Sequence, residues 1–200
     1  MLSLKKSLNI LKKTNALQEG HFVLSSGLHS TKYIQCAKLL SYPHLAKNLC
    51  LSLAKKIIRN YKNIDLILAP AIGGIIIGYE IGKILKKETI FCERVNGNFK
   101  LRRGFFIKKN TKVLIVEDVI TTGKSSLECV KLITKAKAKL VGFASIINRS
   151  NNNSLKIKSK IVSQLKISVP SYKKKDLPQS LKATPITVPG SRFIKWKNLA

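Results

Sequence analysis

Hydrophobic residues occur along this chain in two kinds of run, which alternate through its central part. Short runs rich in β-branched residues predict strands, and longer runs with apolar residues at helical spacing predict helices. The predicted strands are 64–70, 89–95, 112–118 and 140–148. The predicted helices are 3–16, 44–61, 74–87 and 125–137. Strands that alternate with amphipathic helices predict an α/β fold, in which helices flank a central, mostly parallel sheet.

Three further segments are more polar. Residues 19–36 combine Gly, Ser, Thr and His with short apolar alternations, which predicts short strands joined by loops. Residues 96–106 form a polar, basic loop that opens with the turn signal Asn96-Gly97. After a polar break at 148–154 the alternation resumes, so we expect a C-terminal arm that adds strands to the same domain. A length of 200 residues is typical of a single domain.

The chain is strongly basic, with 38 Lys and Arg against nine Asp and Glu and a net charge of +29. Such a charge suits a polyanionic partner. However, only six of the basic residues are Arg, whereas nucleic-acid surfaces also recruit Arg and aromatic residues. The lysines are spread along the whole chain, and Lys, Asn and Ile are the residues that an AT-rich genome encodes most readily. We therefore favour compositional drift over nucleic-acid binding, which stays an open alternative.

The cysteines and the hydropathy pattern predict a cytoplasmic protein. None of the four cysteines stands in a CxxC motif, so we expect buried thiols in a reducing compartment rather than a zinc or redox site. No run approaches the ~20 apolar residues of a membrane helix. The N-terminal segment lacks the apolar block and the cleavage site of a signal peptide. We expect no membrane association.

The segment Val113 to Ser126, "VLIVEDVITTGKSS", is the strongest candidate for chemistry. Glu117 and Asp118 stand at the end of a predicted strand, where ligands bind in open α/β sheets. The small-residue loop after them offers backbone N–H groups and hydroxyls to a phosphate, and Gly123 permits a turn that a Cβ would obstruct. Ser125 followed by Glu128 predicts a capping box at the start of the next helix.

The two acids suit a different part of the same ligand. A phosphate needs donors, whereas carboxylates accept hydrogen bonds from a diol or hold a metal through the ligand. A ribose 5-phosphate offers a phosphate at one end and a diol a few ångströms away. The alternative is that both acids only favour the helix dipole, although such acids usually lie within the first helical turn. A P-loop nucleotide triphosphatase is excluded, because its motif needs a glycine where Asp118 stands.

"VLIVEDVITTGKS" resembles the phosphoribosyl-pyrophosphate (PRPP) signature of type I phosphoribosyltransferases. Other segments resemble the orotate phosphoribosyltransferase family, in matching order over nearly the whole chain. These segments are 20–35, 69–82, 91–106 and 184–192. The resemblance implies a type I phosphoribosyltransferase fold for residues 1–200. Its parts would be a core at about 44–150, a small N-terminal hood at about 1–40 and an extended C-terminal arm at 155–200.

The resemblance also implies roles for the matching positions. Glu117 and Asp118 would hold the ribose hydroxyls, and Arg149 would offer a planar fork to the carboxylate of orotate. The implied PRPP-binding residues are Ala71, Ile72, Gly73, Gly74, Arg94, Glu117, Asp118, Val119, Ile120, Thr121, Thr122, Gly123, Lys124 and Ser125. The implied orotate-binding residues are Ser25, Tyr33, Thr121 and Arg149. The implied catalytic residues are Lys100, Arg102, Arg103 and Asp118.

Two positions depart from the family pattern. Ser25 stands where many members have Lys, which weakens the assignment of base contacts in the hood. The segment 91–106 resembles the family's mobile catalytic loop, but it carries no His. Its cations are Arg94, Lys100, Arg102 and Arg103. These cations would stabilise the leaving pyrophosphate. A solvated basic hairpin is the alternative.

The implied reaction transfers ribose 5-phosphate from PRPP to orotate in the biosynthesis of UMP. It would use Mg²⁺ that is bound through PRPP rather than by a residue named here, and it would take place in a homodimer. Two alternatives remain open. One is a phosphoribosyltransferase for another base, and the other is an RNA-binding regulator that reuses the fold.

Overall fold

The computed structural model describes residues 1–24, 27–150 and 155–189. The strands are β1 (Leu17–Val23), β2 (His29–Ile34), β3 (Leu66–Pro70), β4 (Glu88–Val95), β5 (Asn98–Lys100), β6 (Lys112–Ile120), β7 (Lys139–Asn148), β8 (Ile161–Lys166), β9 (Ser171–Tyr172) and β10 (Ile186–Thr187). The helices are α1 (Leu4–Lys13), α2 (Cys36–Leu40), α3 (Pro43–Asn60), α4 (Gly73–Leu85), α5 (Lys124–Lys135) and α6 (Gln179–Lys182), with a 3₁₀ turn at Lys174–Asp176.

A central sheet of six strands confirms the predicted α/β fold. Its order is β5-β4-β3-β6-β7-β8, and its neighbouring strands are parallel except for the antiparallel pair β4–β5. The predicted central strands and helices are all present, with ends that differ by a few residues. β6 runs on to Ile120 rather than ending at 118, because Val119 and Ile120 still pair with β7. Helix α2 was not predicted.

Helices cover both faces of this sheet. Successive residues of a strand point to opposite faces, so the apolar runs of β3 and β6 serve two cores. Ile67 and Leu114 pack in one cluster with α3 and α4. Leu68 and Ile115 pack in the other cluster with α5, where the Sγ atoms of Cys92 and Cys129 lie 3.4 Å apart. All four cysteines are buried free thiols, as expected.

The segments predicted as short strands and as an added arm meet in a second, four-stranded sheet. Its order is β10-β1-β2-β9, so a hairpin from the N-terminal part pairs with two short strands from the C-terminal part. Within it the buried rings of His21 and His29 are joined by a 2.6 Å contact between Nε2 and Nδ1. The arm's first strand, β8, instead extends the central sheet beside β7. The hood boundaries proposed from the sequence stay a prediction.

The polar segment after β4 forms a hairpin at the predicted turn. Asn96 and Gly97 both have positive φ, 50° and 80°, and they connect β4 to the short strand β5. A turn with two such residues matches the twist of the flanking strands, which explains the Asn-Gly sequence. Among the described helices, none is long and apolar enough to cross a membrane.

Candidate active site

Four parallel strands end at one edge of the central sheet and bring the predicted site residues to it. β3 leads into the loop 71–74, β6 into the loop 121–123, and β7 into Arg149. Backbone hydrogen bonds join the ends of neighbouring strands there. Ala71 N donates to Cys92 O at 2.7 Å, and Arg149 N donates to Ile120 O at 2.8 Å. In open α/β sheets this edge is where ligands bind.

Glu117 and Asp118 occupy the centre of this edge. Glu117 is buried and accepts a hydrogen bond from the Ser126 hydroxyl on α5. Burial raises the pKa of Glu117 to about 7, although the Ser126 hydrogen bond and the Arg94 charge oppose the rise. Burial also raises the pKa of Asp118, whose Oδ1 accepts from Val119 N at 2.9 Å. The pair therefore places one buried and one half-buried carboxylate at this edge, where both can accept hydrogen bonds from a sugar diol.

The loop after the acids has the geometry of a phosphate cup. Gly123 has a φ of 73°, and helix α5 begins directly after it at Lys124. A Cβ on Gly123 would lie 2.6 Å from Ile157, so both conformation and space require glycine. Thr122 is held from the other side by Lys156, whose N–H donates to Thr122 O at 3.0 Å. At the exposed start of α5, Lys124 N donates to Thr122 Oγ1 at 3.4 Å. The other N–H groups of the first turn have no partner within the helix, so they can bind an anion.

The predicted capping box at the start of α5 is wrong. Gly123, not Ser125, is the N-cap residue, and no side chain caps the helix. The Glu128 carboxylate instead lies 2.7 Å from Arg94 Nη1 on β4. A tertiary ion pair thus replaces the local hydrogen bond that the sequence spacing suggested.

The glycines of the loop 71–74 lie against the acidic pair. A Cβ built on Gly73 would lie 2.6 Å from Asp118 Oδ2, and one on Gly74 would lie 3.2 Å from the Val116 carbonyl. Helix α4 begins at Gly73, and the preceding Ala71–Ile72 peptide is cis. Because Gly73 and Gly74 have no side chains, the backbone of this loop lies close to Asp118 and to the end of β6. A backbone so close to the acidic pair is suited to contact a diphosphate.

Tyr33 on β2 and Cys36 at the start of α2 lie near Arg149. Arg149 is largely buried, and burial lowers the pKa of its guanidinium while the nearby Tyr33 and Cys36 oppose the change. Among the described residues, its buried Nε has no hydrogen-bond partner. Cys36 also lies beside Asp118, with its Sγ 3.9 Å from the Asp118 carbonyl. Ser25, the remaining predicted base-side residue, lies outside the described residues.

Two acids pair with arginines of the basic hairpin, which comprises residues 94–103. Arg94 pairs with Glu128 and stacks over the Phe99 ring at 4.1 Å. Arg103 Nε lies 3.3 Å and Arg102 Nη1 lies 4.0 Å from Glu93 Oε1. Of the four predicted cations, Arg94 is the one whose charge acts on Glu117. Lys100, Arg102 and Arg103 are exposed on β5 or just after it.

The sequence missed four residues that belong to this site: Glu93, Glu128, Ser126 and Cys36. Glu128 was assigned to a cap. Ser126 and Glu93 lie in segments singled out in the sequence but were given no role, and Cys36 lies outside every such segment. The only available signal was the scarcity of acids, since two of nine acidic residues flank the basic loop and its neighbouring helix.

Comparisons with known proteins agree with this geometry. The phosphoribosyl transferase domain family matches residues 41–174. An orotate phosphoribosyltransferase of Parvibaculum lavamentivorans is 44% identical over 191 residues, which cover 95% of this chain and 98% of that protein. The crystal structure of orotate phosphoribosyltransferase from Aeropyrum pernix has a TM-score of 0.68 at 20% identity, over 80% of this chain and 92% of that one.

The fold alone does not distinguish the base. The crystal structure of adenine phosphoribosyltransferase from Thermoanaerobacter pseudethanolicus has a TM-score of 0.58 at 17% identity, and the match covers 68% of this chain and 88% of that one. Sequence identity above 40% over nearly the full length of both chains is more specific. The chain belongs to the orotate phosphoribosyltransferase family of phosphoribosyltransferases.

Proposed function

We propose that this protein transfers ribose 5-phosphate from PRPP to orotate, giving orotidine 5′-monophosphate and pyrophosphate in the biosynthesis of UMP. The observation that carries the proposal is the buried Arg149 Nε, which has no partner among the described residues. Its guanidinium lies near Tyr33 and Cys36, and Cys36 in turn contacts Asp118. A buried donor without a partner is costly unless a ligand satisfies it. The carboxylate of orotate is the acceptor that suits a guanidinium.

The site orients PRPP through its two ends. The N–H groups of Thr121 to Ser125 bind the 5-phosphate, and Glu117 and Asp118 accept hydrogen bonds from the ribose 2- and 3-hydroxyls. The backbone of the loop 71–74 approaches the diphosphate, next to Asp118. Holding both ends fixes the anomeric carbon in front of the base, so orientation lowers the barrier without a nucleophilic side chain.

Charge stabilisation completes the mechanism. The bond from the anomeric carbon to the diphosphate breaks, a bond to a ring nitrogen of orotate forms, and the proton of that nitrogen is released. Positive charge develops on the ribose and negative charge on the leaving group. Arg94, Lys100, Arg102 and Arg103 supply cations for the diphosphate. Asp118, which touches the loop 71–74, keeps the ribose aligned as the bond breaks.

Magnesium fits this site only as a partner of PRPP. No group of three or more His, Cys, Asp or Glu side chains among the described residues could hold a metal ion. Magnesium is usually held by one or two carboxylates together with substrate phosphates, so an ion that arrives with the diphosphate suits this site. When bound, the ion neutralises charge on the leaving pyrophosphate.

The enzyme is proposed to work as a cytoplasmic homodimer. Ile72, just before α4, and Ile76 and Tyr79 on α4 are exposed large hydrophobic residues at helical spacing. An exposed apolar stripe of this kind is typical of an interface. The four buried free thiols are consistent with a reducing compartment.

The test is pyrophosphate release from PRPP with Mg²⁺ and orotate, with uracil and adenine as control bases. We expect turnover with orotate alone, and a loss of about a hundredfold or more in Asp118→Asn, since this substitution weakens an acceptor of the ribose diol. Turnover with another base would reassign the substrate. A folded protein that binds RNA with steep salt dependence and shows no turnover with any base would support the regulatory alternative.

A further inference from the structure

Helix α5 and the basic hairpin are joined by one ion pair, between Glu128 and Arg94. Their closest atoms, Oε2 and Nη1, lie 2.7 Å apart, and the side chains are only 22% and 37% exposed. Glu128 lies one turn into the helix that begins at the phosphate cup. The pair therefore connects the cup to the strand that carries the hairpin.

Three contacts fix the Arg94 guanidinium. Besides the Glu128 carboxylate, Nη1 donates to the Gly97 carbonyl at 2.5 Å, and the guanidinium stacks over Phe99 at 4.1 Å from the ring centre. A planar guanidinium held on its face and at its edge loses little further freedom when an anion arrives. Its charge already reaches the site, because it opposes the rise in the pKa of Glu117 that burial causes.

The other two arginines of the hairpin are held more loosely. Arg103 and Arg102 lie 3.3 Å and 4.0 Å from Glu93, and their side chains are 63% and 60% exposed. Exposed pairs of this kind contribute little and exchange readily. Arg94 is thus the fixed cation of the hairpin, while Arg102 and Arg103 are free to follow the leaving group.

We propose that Glu128 is a positioning residue for PRPP binding, which acts by holding Arg94 toward the acidic pair and the diphosphate. Glu128 itself contacts no substrate in this role. The assignment rests on the proposed function, and it gives the acid at 128 a task that its sequence position did not suggest. The competing explanation is a purely structural tie between β4 and α5.

A double-mutant cycle separates the two explanations. The variants are Glu128→Gln, Arg94→Met and the double substitution, with Glu88→Gln as a control that removes one negative charge from the exposed start of the same strand. For each, kcat and KM for PRPP and for orotate are measured with thermal unfolding. We expect Glu128→Gln to raise KM for PRPP about tenfold, which is the size of an ordinary coupling between contacting residues. We expect little change in KM for orotate, and no change in Glu88→Gln.

The decisive measurement is the effect of Glu128→Gln on KM for PRPP in a protein that lacks Arg94. In the Arg94→Met background, Glu128→Gln should leave KM for PRPP unchanged, because the residue through which it acts is gone. An equal rise in KM in both backgrounds, or no rise in either, would overturn the proposal. If Glu128→Gln fails to fold, Glu128→Asp, which keeps the charge but shortens its reach, enters the same cycle. Wild-type turnover with orotate tests the proposed function separately, and PRPP binding by calorimetry tests Glu128 if turnover is absent.

Discussion

Ser126 on helix α5 donates its hydroxyl to the buried carboxylate of Glu117 at the end of strand β6. This bond orients one of the two acids and favours its ionised form, since it opposes the rise in the pKa of Glu117 that burial causes. It also joins the acidic pair to the helix that starts at the phosphate cup. In the proposed function, the groups that bind the two ends of a ribose 5-phosphate are thereby connected to each other.

Ser126→Ala should therefore weaken PRPP use. Without the hydroxyl, the pKa of Glu117 rises further and its orientation is lost, so kcat/KM for PRPP at pH 7 should fall about five- to tenfold, as expected for one hydrogen bond to a charged group. Because a higher pKa is compensated at higher pH, the deficit should shrink between pH 7 and 8.5. Steady-state kinetics across this range measure both effects.

Ser145→Ala is the matched control. Ser145 is buried and lies beside Glu117 in the register of β7 against β6, but among the described residues its hydroxyl has no hydrogen-bond partner. Its removal should leave the pH profile unchanged. A similar loss of activity in both variants would mean that packing in this layer, rather than the hydrogen bond to Glu117, sets the activity.

The raised pKa of Glu117 should also appear in stability. A carboxyl whose pKa is about 7 in the folded protein, and near 4.5 unfolded, favours folding below pH 4.5, and this contribution is lost as pH rises through 7. The side chain of Glu117→Gln does not titrate. The free energy of unfolding of this variant, relative to that of the wild type, should therefore increase by on the order of 2–3 kcal/mol between pH 5 and 8. Urea unfolding of both proteins measures it. A difference that stays constant with pH would contradict the raised pKa.

Gly73 is predicted to be required by Asp118 rather than by its own backbone conformation. A Cβ at this position would lie within 3 Å of both Asp118 carboxylate oxygens. Gly73→Ala should therefore displace Asp118 and lower kcat/KM for PRPP by about tenfold or more, with a small change in melting temperature. Kinetics and thermal unfolding of the same preparation measure the two effects. Full activity would mean that Asp118 moves aside without loss and that its observed position is not needed.

The sequence predicted the parts of this site that are local. The strand ends, the turn at Gly123 and the acidic pair follow from the apolar runs and from residue types with definite backbone preferences. The contacts that join these parts were not predictable, because Arg94 and Glu128 lie 34 positions apart and meet only once the hairpin packs on α5. The spacing of Ser125 and Glu128 was misleading for the same reason, because Glu128 forms a long-range ion pair with Arg94 instead of a local cap. Cys36 lies 82 positions before Asp118, and it approaches Asp118 and Arg149 only because α2 packs against the end of the central sheet.

Arg149 should determine the affinity for the base and leave PRPP binding unchanged. Its buried Nε has no partner among the described residues, and a carboxylate would be bound by the guanidinium fork in a way that an ammonium cannot reproduce. Arg149→Lys should raise KM for orotate by about tenfold to a hundredfold, while KM for PRPP changes less than twofold. Arg59→Lys, the same substitution at the exposed end of α3, is the control and should have no effect. Steady-state kinetics with each substrate varied in turn measure the two KM values. An equal rise in both would mean that Arg149 supports the structure of the whole site rather than binding the base.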